Sequence, residues 1–387
     1  MQKIRYAFLS TVGDSIVAFM RPYFEKFDPE KYDITIISTF TPEQYQGLSR
    51  KYRCIDLQLE RGFHLRKTIQ VIWKLYKEFR STDYQVIEYA TANVSLGAAV
   101  AGWLARVPVR LYNHWGALFA GYTGNQRFIV KNIERFAALF STDIRQVSQR
   151  NLDLCIQERL YPRSKVKVLG FGGTVGVDFS RFDLDKKADR KAEVYEEFSI
   201  PSNAFLFGFV GRINQDKGIN ELIEAFQKIS SQNSAAYLML VGNIDKNKPI
   251  KEENMRWAQQ SSQVIFTGPV SDVPKYMSAF DVLVHPTYRE GFGMVLQEAA
   301  ALKVPIITTD IIGPGEFIQR DQTGLLVPAK DSDKLRDAML KLLEDSTQRN
   351  TLAEKCHEYT RQNFERQVMV GRIINDREDL LKKRGII

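Results

Sequence analysis

Residues 205–226 read FLFGFVGRINQDKGINELIEAF. The stretch predicts a buried strand that ends at Gly211, a short polar loop, and an amphipathic helix that starts near Gly218. Arg212 leaves the strand and Lys217 enters the helix, so two cations should lie beside a helix N-terminus, where a diphosphate can bind. Taken alone, this spacing of Arg and Lys is more typical of two solvated surface charges.

The same order of strand, loop and helix recurs along the chain, with helical periodicity for example at residues 64–80 and 94–105. This alternation favours parallel, doubly wound sheets. Residues 172–185 are glycine-rich and then charged, which predicts a hinge. We therefore expect an α/β protein with two Rossmann-like domains that face each other across a ligand-binding cleft. The strand candidates are residues 3–10, 32–38, 85–89, 107–113, 143–148, 165–170, 205–210, 237–241, 264–267, 282–285, 305–309 and 324–327.

Composition excludes several classes of protein. The chain has 387 residues, 44% of them hydrophobic and 26% charged, as in a globular protein of two to three domains. Its three cysteines are far apart and form no C-x-x-C, which excludes a disulfide framework or a cysteine zinc site. The longest nearly apolar stretch, residues 94–105, is too short to span a bilayer. Asp14 interrupts the N-terminus before a signal-peptide apolar region is complete, so we expect a cytoplasmic protein.

The formal net charge of +8 is unevenly distributed. Residues 1–180 hold 25 Lys and Arg against 16 Asp and Glu, whereas the remainder holds 29 against 30. A basic first half is expected if that half meets an anionic surface such as phosphate, membrane or nucleic acid.

A second motif, DVLVHPTYREGFGMVLQEAAA at residues 281–301, predicts a strand, a polar loop with a glycine-flanked turn, and a helix. Glu290 and Glu298 are eight residues apart, about 12 Å of helical rise, so they cannot form a close acid–base pair on one helix face. They instead bracket a helix N-terminus, where amides near Gly293 and Met294 can bind a phosphate. The alternative is that Glu290 complements the helix dipole and Glu298 is a surface charge.

These two motifs together resemble the nucleotide-sugar-binding half of the retaining GT-B glycosyltransferases of family four. FVGR-x4-KG is followed by REGFG-x4-EAAA, and Glu290 and Glu298 match the two glutamates of the family signature. Similarity continues through TGPVSDVPKYMSAFDVLVHPTYREGFG and VPIITTDIIGPGEFIQRDQTGLLVP, and more weakly through the first half.

The resemblance implies a role for each matching position of the second half. Arg212 and Lys217 would neutralise the donor diphosphate in place of a metal, so no metal or other cofactor is expected. Glu290 would contact the sugar hydroxyls and Glu298 would hold the ribose. Backbone groups of Gly291, Phe292, Gly293 and Met294 would lie beside sugar and phosphate, and the turn from Gly268 to Val270 would line the base.

In the first half, the resemblance places Gly13 in a loop that approaches the phosphates and His114 near the reacting sugar. Both positions depart from the family pattern. Trp115 separates His114 from the glycine that directly follows the histidine in many relatives, and the first loop has one glycine where many relatives have two.

Two D-x-D strings are weak candidates for a metal site that binds a nucleotide sugar. Asp183 and Asp185 lie in the predicted hinge, and Asp331 is expected to cap a helix that starts near Lys334. Neither string follows a strand at the predicted cleft. Of the histidines, His285 is expected to be packed and hydrogen-bonded rather than exposed to the cleft, and His64 and His357 are expected at the surface.

The segment from Arg61 to Arg80, RGFHLRKTIQVIWKLYKEFR, predicts a basic amphipathic helix with Trp and Tyr on its apolar side. Such a helix can lie on an anionic membrane. An ordinary helix that packs its apolar face on the sheet explains the pattern at least as well.

Together these observations predict an acceptor-binding domain at residues 1–180, a nucleotide-sugar-binding domain at 181–366, and a C-terminal helix at about 367–387 that returns to the first domain. The expected activity is metal-independent, retaining transfer of a hexose or N-acetylhexosamine from a nucleoside-diphosphate sugar, first of all a UDP-sugar. The expected acceptor is a polyprenyl-diphosphate-linked saccharide in bacterial surface polysaccharide assembly, with the enzyme in the cytoplasm and in peripheral contact with the inner membrane face.

Three alternatives remain. The first is the same fold with a GDP-sugar donor and a soluble or lipid acceptor. The second is an NAD-dependent oxidoreductase, although the G-x-G-x-x-G turn is absent after Ser10. The third is a nucleic-acid-binding protein, which the absence of a recognition motif disfavours, so no nucleic-acid partner is expected.

Overall fold

The computed structural model describes residues 3–58 and 65–387, and the chain divides into two compact units. Unit 1 contains the residues up to Val175 together with Gln367–Ile387, and unit 2 contains Gly176–Arg366. The division falls within the stretch predicted as a hinge, five residues before the boundary expected from the sequence.

Each unit is built on one parallel sheet. In unit 1 the strand order is β3-β2-β1-β4-β5-β6-β7, and in unit 2 it is β10-β9-β8-β11-β12-β13. Both sheets therefore start at a central strand, extend outwards, and return to the other side of that strand, as in a Rossmann fold. The strands are β1 Ile4–Leu9, β2 Tyr32–Ser38, β3 Arg53–Asp56, β4 Val86–Ala90, β5 Val109–His114, β6 Asp143–Gln146, β7 Val166–Val168, β8 Phe205–Val210, β9 Ala236–Val241, β10 Val264–Gly268, β11 Val282–His285, β12 Ile306–Thr309 and β13 Leu325–Val327.

Helices connect these strands, as parallel pairing requires. They are α1 Gly13–Phe19, α2 Arg21–Phe24, α3 Pro42–Ser49, α4 Leu65–Thr82, α5 Ala92–Leu104, α6 Gly124–Phe140, α7 Gln149–Gln157, α8 Lys187–Glu197, α9 Ile219–Ser230, α10 Glu252–Gln260, α11 Val273–Ser278, α12 Met294–Ala301, α13 Pro314–Phe317, α14 Ser332–Glu344, α15 Ser346–Phe364 and α16 Arg366–Lys383. None of the helices in the described part of the chain has the length and apolar character that crossing a membrane requires.

The strands are rich in apolar residues because both faces of each sheet are covered by helices. β4 and β12 are buried along their whole length, and β8 is buried except at its ends. In unit 2 the amphipathic helix α9 packs Leu222, Ile223 and Phe226 into this core.

The C-terminal helix α16 is part of unit 1. Arg377 on α16 donates to Glu88 on β4, with Nη2 2.6 Å from Oε1. Glu88 is fully buried and also accepts from Tyr6, Tyr23 and Asn113. A buried carboxylate with this many donors is fully compensated for the loss of water, so the ion pair fixes the helix against the sheet.

Candidate active site

The residues of the two sequence motifs lie at the switch point of the unit 2 sheet. β8 and β11 are neighbours there, and the chain leaves them toward opposite sides of the sheet. Loops that follow the carboxyl ends of such strands form the crevice where α/β proteins bind ligands. The loop after β8 carries Arg212 and Lys217, and the loop after β11 carries Glu290.

Gly218 allows the two loops to approach each other. It has φ +69°, and a Cβ at this position would come within 2.0 Å of the Pro286 carbonyl oxygen. Only glycine meets both conditions without strain. The glycine that ends the first motif therefore brings the loop after β8 into contact with the loop after β11.

Hydrogen bonds then fix the two loops together. The Tyr288 amide donates to the Asp216 carbonyl oxygen over 2.8 Å. The Asp216 carboxylate binds Arg289 at 2.7 Å and Lys248 at 2.5 Å. The sequence analysis did not predict this role of Asp216. The two motifs contain both Asp216 and its partner Arg289, but their spacing does not indicate that the two side chains meet.

Lys217 and Glu290 form an ion pair across the two loops. Lys217 Nζ lies 2.5 Å from Glu290 Oε2, and both side chains are largely buried. Burial alone would raise the pKa of Glu290, but the neighbouring His285 and the charge of Lys217 hold it well below its usual range. Glu290 is therefore a carboxylate at physiological pH. Lys217, predicted to bind the diphosphate, and Glu290, predicted to bind the sugar, are thus in direct contact.

His285, the last residue of β11, lies next to the Lys217–Glu290 pair. Its ring is buried and stacks on Phe209, with centroids 5.5 Å apart and planes 9° from parallel. Nε2 lies 3.7 Å from Glu290 Oε2, and neither ring nitrogen has a hydrogen-bond partner within the described residues. Burial lowers the pKa of His285 below its usual value, although the neighbouring Glu290 opposes this shift. It is packed, as expected, but without the expected hydrogen bond.

Arg212 lies at the outer side of the same crevice. Its side chain is 64% exposed, and Nη1 is 3.2 Å from Asp245 Oδ2. An exposed pair of this kind is weak. A phosphate group could therefore draw the guanidinium away from Asp245 at little cost.

The glycine-flanked turn leads into α12. Gly293 has φ +91° and directly precedes the first residue of the helix, Met294. Phe292 is buried against Phe317 and Phe364, which holds the turn in place. The backbone of Gly291 is held close to Gly313, where a Cβ would come within 2.6 Å of the Gly291 carbonyl oxygen. The turn is thus a rigid element at a helix N-terminus.

Glu298 lies in the second turn of α12. Burial raises its pKa to about 7, against the charges of Arg181 and Arg366. Glu298 therefore changes its protonation state near physiological pH, whereas Glu290 is already ionised there. Gly268, with φ +69°, ends β10, and Val270 follows it. Both belong to unit 2, as do all the donor-binding candidates of the second half.

Gly13 lies directly after the loop that follows β1. It is buried as the first residue of α1, and its amide donates to the Thr39 carbonyl oxygen over 2.8 Å. A Cβ at this position would come within 2.2 Å of the Gln44 side chain. The structure therefore gives Gly13 a packing role against α3, and its place near the donor phosphates stays a prediction from the resemblance.

His114 is likewise turned into the interior of unit 1. It ends β5, is 2% exposed, and its Nε2 lies 3.3 Å from the buried carboxylate of Glu134. Nδ1 lies 2.9 Å from the Gln146 amide nitrogen. Burial alone would lower the pKa of His114, but the charge of Glu134 raises it to about 10. The position of His114 near the reacting sugar stays a prediction from the resemblance.

The switch point of unit 1 instead presents two threonines. Thr91 follows β4 with φ +70°, a strained conformation for a β-branched residue. Its hydroxyl oxygen lies 2.6 Å from that of Thr11, which follows β1. Nearby, Asn113, Trp115 and Arg145 line a cavity of about 40 Å³, which has room for a few water molecules. The sequence does not predict this position of Thr91. A positive φ is unusual for threonine, and here it depends on how the chain leaves β4.

The remaining candidates are placed as follows. Asp331 caps α14 by accepting from the Lys334 amide over 2.8 Å, as predicted. Asp183 accepts from the Asp185 amide. His357 was expected at the surface, which is wrong: it is buried and hydrogen-bonded to the Ala300 carbonyl oxygen. His64 lies outside the described residues. Within the described ranges, no three His, Cys, Asp or Glu residues form a cluster suited to a metal ion.

Comparison with solved structures identifies the fold. The UDP complex of Alr3699/HepE from Anabaena superposes with a TM-score of 0.76, covers 98% of this chain and all of that chain, and is 18% identical in sequence. WaaG, a glycosyltransferase of lipopolysaccharide biosynthesis, superposes with a TM-score of 0.72. The architecture is the GT-B fold of glycosyltransferases.

Two family models match the sequence. The model described as glycosyl transferases group 1 matches residues 191–363, and the model described as glycosyl transferase 4-like matches residues 7–148. The chain therefore belongs to the group 1 glycosyltransferases of the 4-like kind and is a glycosyltransferase.

Two relatives are similar over most of their length. The capsular polysaccharide biosynthesis glycosyltransferase CapM of Staphylococcus aureus is 28% identical over 361 residues, which are 93% of each chain. The UDP-Gal:alpha-D-GlcNAc-diphosphoundecaprenol alpha-1,3-galactosyltransferase of Escherichia coli is 23% identical over 86% of this chain and 85% of that protein.

Proposed function

We propose that this chain is a metal-independent, retaining hexosyltransferase that moves a hexose or N-acetylhexosamine from a UDP-sugar to a polyprenyl-diphosphate-linked saccharide. The names of the two relatives support a place in bacterial capsule or lipopolysaccharide assembly, and the galactosyltransferase name supports both a UDP-sugar and a lipid diphosphate. The single observation that carries the proposal is the ion pair between Lys217 and Glu290 at the switch point of unit 2.

Entry of the donor would rearrange this pair. A diphosphate competes with Glu290 for Lys217 and with Asp245 for Arg212, because it carries more charge than either carboxylate. Glu290, released from Lys217, then accepts hydrogen bonds from the sugar hydroxyls. The two ion pairs hold Lys217 and Arg212 in position and compensate their charges.

These residues would accelerate the reaction by stabilising the negative charge that develops on the leaving group. As the sugar leaves, charge builds up on the departing UDP, and Arg212, Lys217 and the start of α12 stabilise it more strongly than they stabilise the donor. These groups replace the metal ion that other transferases use. Among the described residues no carboxylate is placed as an evident covalent nucleophile, and the family resemblance implies retention by attack on the face that the UDP leaves.

The acceptor is assigned to unit 1, which is the more basic part of the chain. Contact of the segment from Arg61 to Arg80 with an anionic membrane fits a lipid-linked acceptor. Residues 61–64 lie outside the described part, but Arg66, Lys74, Lys77 and Arg80 of α4 are exposed. Lys77 also lies over the ring of the exposed Trp73, 5.2 Å from its centroid.

Donor screening tests this proposal. Release of UDP or GDP is measured for a set of nucleotide sugars, with EDTA present, and with and without a polyprenyl-diphosphate saccharide. Acceptor-dependent release of UDP without a metal is expected, and the anomeric configuration of the product is read by NMR. Dependence on a divalent metal, release of GDP alone, or an inverted product would each contradict the corresponding part of the proposal.

A further inference from the structure

The outer face of α6 is apolar and exposed to solvent. Phe128 is 70% exposed, and Ile129, Phe136 and Leu139 are each more than half exposed. Their spacing places all four on one side of the helix. The opposite side of α6 buries Glu134, Ala137 and Ala138 in unit 1. A surface helix ordinarily presents charged or polar residues to water.

This apolar surface continues onto the end of α5. Trp103 and Leu104 are about half exposed there. The Trp103 ring packs on Phe140, the last residue of α6, with centroids 5.1 Å apart. We call the exposed residues Trp103, Leu104, Phe128, Ile129, Phe136 and Leu139 the α5–α6 face. Clustered exposed apolar side chains of this kind mark interaction surfaces.

Basic residues border the α5–α6 face. Arg135 on α6 and Arg106 just after α5 are exposed. Lys165 reaches the carboxyl end of α6, where its Nζ lies 3.1 Å from the Leu139 carbonyl oxygen. The only acidic residue on α5 and α6 is Glu134, and it is buried. The face therefore combines apolar side chains with uncompensated positive charge.

We propose that the α5–α6 face docks on a membrane that contains anionic lipid. The apolar side chains enter the boundary between headgroups and acyl chains, and the basic side chains contact lipid phosphates. A second copy of the chain is a poorer occupant, because it would bring the same positive charges and no exposed carboxylate from these helices. The biological role of this docking rests on the proposed function, because docking would bring the enzyme to a lipid-linked acceptor.

Vesicle flotation tests the inference. The full chain is mixed with vesicles of phosphatidylglycerol and phosphatidylethanolamine, or of phosphatidylcholine alone. Binding to the anionic vesicles is expected, and it should weaken at high salt because the charge contribution is screened. The double variant F128S/F136S should lose about tenfold in partitioning, because two apolar side chains no longer enter the boundary region.

The control is Tyr45→Ser, which removes an exposed aromatic side chain from α3, outside the α5–α6 face. It should float like the wild type. Melting temperature and stabilisation by UDP show that both variants are folded. Unchanged flotation of F128S/F136S, or a dimer that only this variant loses, would overturn the inference. If the chain binds vesicles but transfers no sugar in the donor screen, the membrane inference is supported and the proposed function is contradicted.

Discussion

At the scale of single residues, the site is defined by charges that compensate each other. Lys217 meets Glu290, Arg212 meets Asp245, and Asp216 binds both Arg289 and Lys248. Because of these pairs, Arg212 and Lys217 each have a carboxylate partner instead of lying as two uncompensated cations. The sequence indicated which residues carry charge, but the partner of each depends on how two loops meet.

Loss of either proposed diphosphate ligand should slow the reaction. Lys217→Met and Arg212→Met are each expected to lower kcat/KM by about two to three orders of magnitude, as removal of one preorganised donor to a developing negative charge does. Steady-state UDP release measures this. Lys228→Met is the control, because it removes a lysine of α9 that pairs only with the exposed Asp333. A double variant of Lys217 and Arg212 with near-normal turnover would exclude the diphosphate role.

Glu298 should make donor binding depend on pH. Its pKa is raised to about 7 from 4.5, so the stability linked to its neutral form is complete below about pH 4.5 and is lost as the pH rises through 7. The ionised form accepts ribose hydroxyls more strongly. UDP affinity should therefore rise about tenfold between pH 6 and pH 8.

Calorimetric titration of UDP at several pH values measures this dependence. Ionisation of the terminal phosphate of UDP, whose second pKa is about 6, adds the same pH dependence in every variant. Glu298→Gln should show only this part, because glutamine does not titrate. The reference variant is Glu344→Gln, at the exposed end of α14. A pH dependence in Glu298→Gln as steep as that of Glu344→Gln would assign the remainder to another group.

At the scale of elements, the strands were the most predictable part. Residues 32–38, 205–210 and 282–285 were predicted as strands, and β2, β8 and β11 have these bounds. β8 and β11 are almost continuous apolar runs, which is typical of strands buried on both faces of a parallel sheet. β3 was missed because it is a four-residue edge strand with charged ends, RCID. An edge strand buries too little to leave an apolar run in the sequence.

The candidate site was less predictable than the sheet. The residues of unit 2 lie at the switch point because they follow strands that the pattern located well. Gly13 and His114 were assigned by resemblance alone, and the structure buries both. A motif predicts which loop a residue occupies. Whether its side chain or amide faces the ligand depends on packing by residues far away in sequence, here Gln44, Thr39 and Glu134.

Gly218→Ala should disturb the site through its loop. The new Cβ would collide with the Pro286 carbonyl oxygen, and the positive φ adds strain. We expect a loss of several kcal/mol in unfolding free energy and weaker UDP binding. Gly268→Ala is the matched control for stability, because Gly268 has the same φ with open space around it, and it should cost only about 1 kcal/mol. Equal melting temperatures for the two variants would rule out the loop contact.

At the scale of the whole molecule, the C-terminal helix is part of unit 1. Arg377→Ala removes one partner of the buried pair with Glu88 and leaves a buried carboxylate uncompensated. The expected loss of stability is about 3–5 kcal/mol, and chemical denaturation followed by circular dichroism measures it. The double variant Glu88→Gln/Arg377→Met should recover part of that loss. Lys383→Ala, at the exposed end of α16, should have no effect.

The membership of α16 in unit 1 also has a consequence for biosynthesis. The ribosome releases unit 2 as one continuous stretch, whereas unit 1 lacks residues 367–387 until all of unit 2 has been synthesised. Until Arg377 emerges, Glu88 sits in a nascent sheet with no cation to neutralise it. Unit 2 should therefore reach its native state first, although it is synthesised second. Stop codons or rare-codon pauses before residue 367 should expose unit 1 to chaperones and proteases.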